Sequence, residues 1–570
     1  MRIRNILNSH LSPFKVSHRA RCLASYGGLA GRAKLNSTSK LLPNSGGDEV
    51  PFFDLLVNAC EQNPGRIAVR CDNEASSFSE HFSRISRAAH LLRMTLGLAS
   101  NDRFAILSRN SVDYLELIHA SLLGAAIVVP LNVRSSEPEL AAVLRDAGCR
   151  ALFFSDEFCG VAQRLKDVTE VEHIIQIGDS QPSYTAYRGL IQEATEWLPK
   201  RPDGSDTAFI MYTSGTTGRA KGVVIEHAAM ANDIYKTGIV TTLTQGYTFL
   251  LHAPLFHIAS IRGFGLAPAT GSTVVLLPRF DPPRIIQEIK AHDVNTTSFI
   301  ASTVRNMLEL PGFHGTALPS LTTIGYGSAP MHPAVLRRLM SAFPKAEFVN
   351  WYGMTETCGH VSVLNGLDHK LGGRRLTSCG RAMPGIGVRV IDEAGLPVSH
   401  GTVGEITVSG DNLMRGYWNQ PPLKTDHTGT SWYPTGDAGY LDDDGYLHLV
   451  GRIRDMIITG GENVAPGEVE AALCNHPEVH QAVVFGMDDL KWGEAVYACV
   501  SAPANAQISS DQLRAHCRTQ LAGYKVPKTI SIQHNPFPMS GSNKIDRNLV
   551  KSLYTQSYPD KTNTHGHRDD

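Results

Sequence analysis

The apolar positions of this chain fall in short, unbroken runs that alternate with segments of helical periodicity. Five runs are flanked by Gly, Pro or polar turn residues, and they cover residues 104–107, 127–129, 209–212, 274–277 and 348–351. Continuous runs of this length are typical of strands that are buried on both faces of a largely parallel sheet. The pattern therefore predicts an α/β protein.

One helix-then-strand unit is especially clear in the first third of the chain. Ser136 and Glu139 have the spacing of a capping box, Pro138 lies in the first turn, and Gly148 follows as a stop signal. The apolar run 151–154 is then predicted to be a strand. Units of this kind recur along the chain and favour helices packed on parallel strands.

The pattern changes after residue 375, where short strands alternate with Gly-rich turns and predict a small β-barrel-like subdomain. The C-terminal segment has its own helices and strands, including a helix opened by Pro466 and one with a capping box at Ser509 that we expect to end at Gly523.

Four segments are predicted from these changes. They are a transit peptide over residues 1–47, a large N-terminal domain of largely parallel βα sheets with the β-barrel-like subdomain over 48–450, a mobile α+β C-terminal domain over 451–556, and a disordered tail over 557–570.

Composition excludes several classes of partner and site. The chain has 570 residues, 42% of them hydrophobic, and its formal net charge of −1 provides no global basic field for nucleic acid or anionic lipid. Its 10 Cys residues include no C-x-x-C pair, which disfavours a zinc site and a disulfide framework. The longest uncharged stretches, 117–133 and 263–278, are broken by Gly and Pro and are too short to span a membrane.

The first 47 residues differ from the balanced remainder. They are rich in Ser and contain no acidic residue, and their basic residues are Arg2, Arg4, Lys15, Arg19, Arg21, Arg32, Lys34 and Lys40. This composition predicts a transit peptide and a location in the mitochondrial matrix. A disordered basic arm is the alternative interpretation of the segment, and the peroxisome or cytoplasm is the alternative location.

The strongest local signal for chemistry is a loop rich in Gly, Ser and Thr. Its candidate binding residues are Thr213, Ser214, Gly215, Thr216, Thr217, Gly218 and Lys221. Backbone N–H groups and hydroxyls can surround an anion there, and the lysine adds a positive charge. The loop is not a Walker A motif, because the apolar run 223–225 predicts a strand at its exit instead of a helix. A flexible Ser/Gly linker is the alternative.

With this loop, the sequence resembles the adenylate-forming superfamily of acyl-CoA synthetases, peptide-synthetase adenylation domains and luciferases, and it is most similar to the acyl-CoA synthetases. Further motifs of the superfamily follow in its order, at residues 254–257, 325–330, 351–357, 433–437, 451–455, 460–463 and 540–544. The resemblance covers roughly residues 50–555. An ordered set of motifs is far more specific than any one of them.

The resemblance implies roles for the matched residues. Tyr352 is expected to stack on adenine, Thr355 to donate to the α-phosphate, and Glu356 to bind Mg²⁺. Asp437 is similar to the family's ribose-binding carboxylate, and Arg452 is expected to approach the same ribose. The other implied nucleotide-binding residues are Ser328, Ala329, Pro330 and Gly353.

Four residues of the C-terminal segment complete the implied site. Lys544 matches the catalytic lysine, whose charge would stabilise the transition state in which a carboxylate oxygen attacks the α-phosphate and diphosphate leaves. Gly460 and Gly461 would let the backbone pass close to a pantetheine arm. Arg454 stands where the family usually has Asp or Lys, at the hinge about which the C-terminal domain rotates.

The implied reaction is that of an acyl-CoA synthetase: a carboxylic acid and ATP give an acyl-adenylate and diphosphate, and CoA then releases AMP. ATP, Mg²⁺ and CoA are the implied cofactor and co-substrates. His257 matches the wall of the acyl pocket, where amino-acid adenylation domains have Asp, and this difference favours a neutral, mainly apolar acid. The alternatives are an acyl-AMP ligase that serves a carrier protein and a non-catalytic acyl-nucleotide-binding protein.

Overall fold

The structure is a computed structural model of the chain. It describes residues 52–178, 184–213, 220–241, 246–426, 428–539 and 545–557. The predicted transit peptide and C-terminal tail lie outside these residues.

The largest sheet has nine strands, and its six central strands run parallel to one another. In spatial order the strands are Arg381–Ala382, Ser362–Leu364, Glu347–Tyr352, Thr323–Gly327, Thr296–Ile300, Thr248–Leu251, Thr273–Leu276, Ile67–Cys71 and Glu74–Ser77. Parallel strands present their carboxyl ends at one edge, which is where open α/β sheets bind ligands.

A second sheet has seven strands, five of them parallel. In spatial order they are Gly416–Tyr417, Lys221–Glu226, Thr207–Thr213, Ile127–Pro130, Arg103–Leu107, Cys149–Ser155 and His173–Ile177. All five apolar runs singled out in the sequence fall in strands of these two sheets, with only Leu277 lying one residue beyond its strand.

Helices surround and separate the two sheets. Their bounds in this part of the chain are Phe52–Gln62, Phe78–His90, Val112–Leu122, Glu137–Ala147, Cys159–Val168, Tyr187–Glu193, His227–Val240, Ala267–Ala269, Pro282–Ala291, Ala301–Leu308, Pro333–Ala342 and Gly366–Leu371. Every residue of Val112–Leu122 is buried, because this helix contacts one strand of each sheet. The core therefore lies mainly between the sheets.

The β-rich segment forms a four-stranded antiparallel sheet. Its strands, in spatial order, are Gly387–Ile391, Gly404–Ser409, Tyr433–Leu441 and Leu447–Arg452. The last strand ends at the residue next to Ile453, so the sheet leads directly into the C-terminal segment.

The C-terminal segment is an α+β unit with its own core. Its strands are Ile457–Thr459, Glu462–Val464, Gln481–Asp489, Gly493–Ser501 and Thr529–Gln533, and its helices are Pro466–Cys474, Ser510–Arg518 and Arg547–Ser557. The helix capped by Ser509 ends at Arg518, so the predicted end at Gly523 is wrong. The hydroxyl of Thr519 bonds to the carbonyl of His516 and closes the helix earlier.

The capping box at Ser136 and Glu139 is confirmed. It opens the helix Glu137–Ala147, and Gly148 ends it with a φ of 61° in the left-handed region that glycine adopts at low cost. Among the described residues, none of the helices combines the length and apolar character needed to cross a bilayer.

Candidate active site

The Gly/Ser/Thr-rich loop connects two paired strands. Thr207–Thr213 and Lys221–Glu226 run antiparallel, and Thr213 lies opposite Lys221. The predicted strand at the loop exit is therefore confirmed. Nζ of Lys221 lies 5.0 Å from the ring centroid of Tyr417. The candidate residues Ser214, Gly215, Thr216, Thr217 and Gly218 lie outside the described residues.

Glu356 is brought to the entrance of this loop. It lies in the short 3₁₀ turn Thr355–Thr357, which follows the strand Glu347–Tyr352, and only 8% of its surface is exposed. Its Oε1 accepts hydrogen bonds from the hydroxyls of Tyr417 at 3.1 Å and of Thr213 at 3.5 Å. The candidate metal ligand and the candidate phosphate loop are thus in direct contact, although 143 positions separate them in the sequence.

A carboxylate is the kind of ligand that Mg²⁺ needs, and protein sites for this ion often supply one or two carboxylates beside the phosphates of a nucleotide. The buried carboxylate of Glu356 accepts hydrogen bonds from two neutral hydroxyls, and its oxygens are of the type that binds a hard cation. Glu356 therefore fits the predicted magnesium site. Thr355, the residue before it, is half-buried in the same turn.

Tyr352, Asp437 and Arg452 form a second cluster. The Tyr352 hydroxyl donates to Oδ2 of Asp437 at 2.7 Å, and Nε of Arg452 lies 2.9 Å from Oδ1 of the same carboxylate. Asp437 and Arg452 are cross-strand partners, and Arg452 also donates to the Thr435 carbonyl. Burial and the neighbouring carboxylate raise the pKa of Tyr352 well above its usual value, so the phenol stays a donor.

The Ser328, Ala329 and Pro330 segment follows the strand Thr323–Gly327, which pairs in parallel with the strand that ends at Tyr352. Ser328 has a φ of 61°, an uncommon conformation for a residue other than glycine. Strained backbone of this kind occurs preferentially at functional sites, where the surrounding structure enforces it.

Gly353 lies at the same edge of the sheet as this segment. A Cβ atom there would lie 1.8 Å from the carbonyl oxygen of Gly359, so only glycine fits. The chain can therefore fold back tightly on itself beside the turn that bears Thr355 and Glu356.

His257 has a structural role that the sequence did not indicate. Its Nδ1 accepts a hydrogen bond from the Ala259 N–H at 3.1 Å and caps the 3₁₀ turn Ile258–Ser260. The side chain is half-buried. Its position at the wall of an acyl pocket stays a prediction.

Gly460 and Gly461 form the two-residue turn between Ile457–Thr459 and Glu462–Val464, and their φ angles are 59° and 84°. Two successive positive φ values are the signature of a tight hairpin turn that favours glycine. The Gly460 N–H donates to the carbonyl of Trp492 at 2.8 Å, and a Cβ on Gly460 would lie 2.9 Å from the indole ring. The sequence analysis missed Trp492, which is 42% exposed beside this turn.

Arg454 lies in the 3₁₀ turn Ile453–Asp455, directly after the last strand of the four-stranded sheet. Its side chain is 54% exposed, and Nε lies 3.5 Å from Oδ1 of Asp455. Lys544 lies outside the described residues. Met539 and Ile545, on either side of it, form an isolated antiparallel bridge.

Comparison with known proteins identifies the family. The family model for AMP-binding enzymes matches residues 56–418, and the model for the C-terminal domain of AMP-binding enzymes matches residues 468–544. The chain belongs to the AMP-binding enzyme family.

This AMP-binding enzyme is similar to relatives over most of its length. Feruloyl-CoA synthase of Amycolatopsis sp is 34% identical over 501 residues, or 87% of this chain and 98% of the relative. The fatty acid–[acyl-carrier-protein] ligase ScoC of Streptomyces coeruleorubidus is 32% identical over 87% of this chain and 94% of its own. O-succinylbenzoate coenzyme A synthetase of Bacillus subtilis, solved with ATP and magnesium ion, gives a TM-score of 0.77 at 28% identity, covering 88% of this chain and 99% of that one.

These comparisons confirm the predicted superfamily, the α/β fold with an α+β C-terminal unit, and the assignment of an ATP-binding ligase. The fold of the AMP-binding enzyme brings together Thr213, Glu356 and Tyr417 at one cluster, and Tyr352, Asp437 and Arg452 at the other. The individual roles of these residues are predictions that the experiments below test.

Proposed function

We propose that this AMP-binding enzyme is an ATP-dependent acyl-CoA synthetase that acts on a neutral, mainly apolar carboxylic acid. The reaction forms an acyl-adenylate and diphosphate, and the thiol of CoA then attacks the adenylate and releases AMP. Relatives of this chain are named feruloyl-CoA synthase and 2-succinylbenzoate–CoA ligase. Together with the match to the AMP-binding enzyme family, they confirm the prediction of an AMP-forming acid–thiol ligase.

One observation carries the proposal. The buried carboxylate of Glu356 faces Thr213 at the entrance of the predicted phosphate loop. A metal ion held by Glu356 would supply positive charge to the phosphates and reduce their repulsion of an incoming carboxylate. Thr355 and Lys221 would bind and orient the phosphates beside it. The residues of this chain thus provide binding, orientation and charge for adenylation.

The ribose would bind to the second cluster. Asp437 already accepts a hydrogen bond from Tyr352 and is ion-paired with Arg452, so its carboxylate is fixed before any nucleotide arrives. A carboxylate that is held in place can receive two vicinal hydroxyls without losing further conformational freedom. The ring of Tyr352 would provide the face on which adenine stacks.

The preference for a neutral acid rests on polar atoms that are already satisfied. Tyr326 and Thr303 are residues that the resemblance makes candidates for the lining of the acyl pocket. The hydroxyl of Tyr326 bonds to Nε2 of His369 at 2.8 Å, and the hydroxyl of Thr303 bonds to the Ile300 carbonyl. These two hydroxyls therefore need no polar partner from an acyl chain. Nδ1 of His257 is likewise satisfied, because it accepts the Ala259 N–H.

The turn at Gly460 and Gly461 supports CoA as the acceptor. The exposed ring of Trp492 lies against it, and Nζ of Lys491 and of Lys528 lies 5.1 Å and 5.8 Å from that ring. A glycine turn, an aromatic face and lysines suit a pantetheine arm with a nucleotide and phosphates. A carrier protein is the second candidate acceptor, because the similar ligase ScoC is named for one.

A panel of carboxylic acids tests the proposal. AMP release would be measured for aliphatic, aryl and dicarboxylic acids, with CoA, with a phosphopantetheinylated carrier protein, and with neither. We expect sustained turnover only with an apolar monocarboxylic acid and CoA. Preference for a dicarboxylic acid would refute the substrate class, and sustained turnover with the carrier protein alone would refute CoA as the acceptor.

We also propose that the chain is divided into domains at 48–450 and 451–556, with Arg454 as the hinge, and that residues 1–47 direct it to the mitochondrial matrix. The two family matches fall on opposite sides of the proposed domain boundary, which supports the division. Mass spectrometry of the protein purified from mitochondria should find a mature N-terminus near Asp48. A protein that retains residues 1–47 in cells would contradict the proposed location signal.

A further inference from the structure

Asp233 is a buried carboxylate that the proposed chemistry does not use. It lies on the helix His227–Val240, and only 1% of its surface is exposed. Its Oδ1 accepts the backbone N–H of His360 at 3.0 Å, and its two oxygens lie 3.2 Å and 3.0 Å from Nδ1 of the same histidine. Burying a carboxylate is costly unless it is hydrogen-bonded, and the bonds to His360 offset that cost.

This contact holds one end of the turn that bears Glu356. The Val361 N–H bonds to the Tyr352 carbonyl at 2.8 Å, and the Gly359 N–H bonds to the Met354 carbonyl at 3.1 Å. The segment between them is therefore closed at its base. The carboxylate of Asp233 bonds to His360, the neighbour of Val361, and so holds the segment at this base.

Asn412 holds the same segment through two backbone carbonyls. It is completely buried, and its Nδ2 donates to the carbonyls of Thr357 at 2.9 Å and His360 at 2.8 Å. In the same loop, the Met414 N–H donates to the Glu356 carbonyl at 2.9 Å. Three hydrogen bonds thus fix the backbone of the turn that carries the candidate metal ligand.

The helix that bears Asp233 also fixes the loop that bears Asn412. Nδ2 of Asn232 donates to the carbonyl of Asp411 at 3.3 Å. Lys236, one helical turn further on, forms an ion pair with the Asp411 carboxylate. One face of this helix is therefore the common support for both attachments.

We propose that Asp233 and Asn412 are positioning residues for adenylation, which set the direction of the Glu356 carboxylate and the Thr355 hydroxyl. Neither residue would touch the substrate. The inference rests on the proposed function, because the fixed turn would serve to bind Mg²⁺ and phosphate. Displacing a positioned group by about 1 Å can cost about 100-fold in rate.

The test compares Asp233→Ala and Asp233→Asn with a matched control, Glu116→Gln. Glu116 is also fully buried and ion-paired, but it belongs to the helix Val112–Leu122, and its carboxylate bonds to Arg84 and Tyr187. Four quantities would be measured in the full chain: the melting temperature, the rate of acyl-AMP formation, the rate of thioester formation from supplied acyl-AMP, and the Mg²⁺ dependence of ATP binding by calorimetry without any acid.

We expect Asp233→Ala to slow acyl-AMP formation by about 10- to 100-fold and to raise the Mg²⁺ concentration needed for half-maximal ATP binding. Thioester formation from supplied acyl-AMP should stay near the parent rate. Asp233→Asn should recover part of the loss, because its amide oxygen can still accept the His360 N–H. The control should lower the melting temperature without changing the Mg²⁺ dependence.

An unchanged Mg²⁺ dependence in Asp233→Ala, or equal losses in both half-reactions, would overturn the inference. If Asp233→Ala does not fold, Asp233→Asn and Asn412→Asp provide the same comparison. The readout by ATP binding separates this inference from the proposed function. A parent that binds ATP with Mg²⁺ but adenylates no acid would refute the function while the positioning role is still tested.

Discussion

The hydroxyl of Tyr352 donates a 2.7 Å hydrogen bond to Oδ2 of Asp437. This bond joins the end of a parallel strand in the nine-stranded sheet to the four-stranded sheet, across 85 positions of sequence. Asp437 is paired in turn with Arg452, two residues before Arg454. A nucleotide bound at this cluster would therefore contact the strand that leads into the proposed hinge.

The first prediction separates the ring of Tyr352 from its hydroxyl. Tyr352→Phe keeps the face for adenine but loses the bond to Asp437, and hydrogen bonds to charged groups contribute about 1.5–3 kcal/mol. We expect the KM for ATP to rise about 10-fold or more, with a larger rise in Asp437→Ala, which also releases Arg452. Steady-state kinetics at a saturating concentration of the carboxylic acid substrate measure the KM for ATP of both variants. A larger effect in Tyr352→Phe than in Asp437→Ala would contradict the ribose-binding role.

The second prediction concerns the metal ligand. Glu356→Gln keeps the shape of the side chain but removes its charge, so acyl-AMP formation should be slow and only partly restored by additional Mg²⁺. Tyr417→Phe is the matched control, because it removes a hydrogen bond to Glu356 but leaves the carboxylate. A Gln variant with the parent rate and the parent Mg²⁺ response would exclude Glu356 from the metal site.

The third prediction concerns Lys544. Lys544→Ala should abolish acyl-AMP formation and spare thioester formation from supplied acyl-AMP, since the positive charge is needed only while diphosphate leaves. The two half-reactions would be followed separately, by diphosphate release and by acyl-CoA production. Equal losses in both would show that the lysine supports the structure instead of the chemistry.

The fourth prediction concerns the hinge. Proline fixes φ near −65° and lacks the N–H group, so Arg454→Pro should impair the rotation that the second half-reaction needs. We expect acyl-AMP formation to be nearly intact and CoA-dependent turnover to be suppressed, which is the reverse of the Lys544→Ala defect. Arg454→Ala is the control for loss of the side chain. Thioester formation at the parent rate in the proline variant would show that the hinge lies elsewhere.

The fifth prediction concerns stability in acid. Nε2 of His119 bonds to the Phe264 carbonyl and its Nδ1 faces Nε2 of His81, and burial lowers the pKa of His119 from 6.5 to about 4. Between these values the unfolded chain binds a proton that the folded chain does not, so stability falls as the pH decreases. The contribution is about 1.4 kcal/mol for each pH unit in this range.

Denaturant unfolding of the parent and of His119→Gln at pH 7 and pH 5 measures this effect. The glutamine amide can replace both hydrogen bonds but does not titrate. The free energy of unfolding should therefore decrease less in the variant than in the parent as the pH is lowered. A difference between the two proteins that does not change with pH would show that His119 is not the group responsible.

Local signals in the sequence predicted local structure well. The capping box at Ser136 and the stop at Gly148 define a helix correctly, because the interactions that end a helix lie within a few residues of its ends. The predicted helix end at Gly523 was wrong because a different interaction ends this helix closer to its last turn. The hydroxyl of Thr519, four residues earlier, closes the helix first, and a glycine further along has no influence on it.

The candidate site was predicted through motifs, but its contacts were not. The bonds of Tyr352 to Asp437 and of Thr213 to Glu356 join residues that are far apart in sequence, and no local pattern specifies them. Asp233 and Trp492 gave no signal, because a polar residue in a helix and an aromatic residue in a turn are ordinary in sequence. Their significance depends on tertiary neighbours alone.

The central claim is that one active site first forms an acyl-adenylate and then transfers the acyl group to CoA. A single-turnover reaction with enzyme in excess, ATP labelled at the α-phosphate and an acid from the panel tests it most directly. We predict that labelled acyl-AMP accumulates without CoA and is converted into equal amounts of AMP and acyl-CoA when CoA is added. Formation of ADP, or an adenylate that persists after CoA is added, would contradict the account.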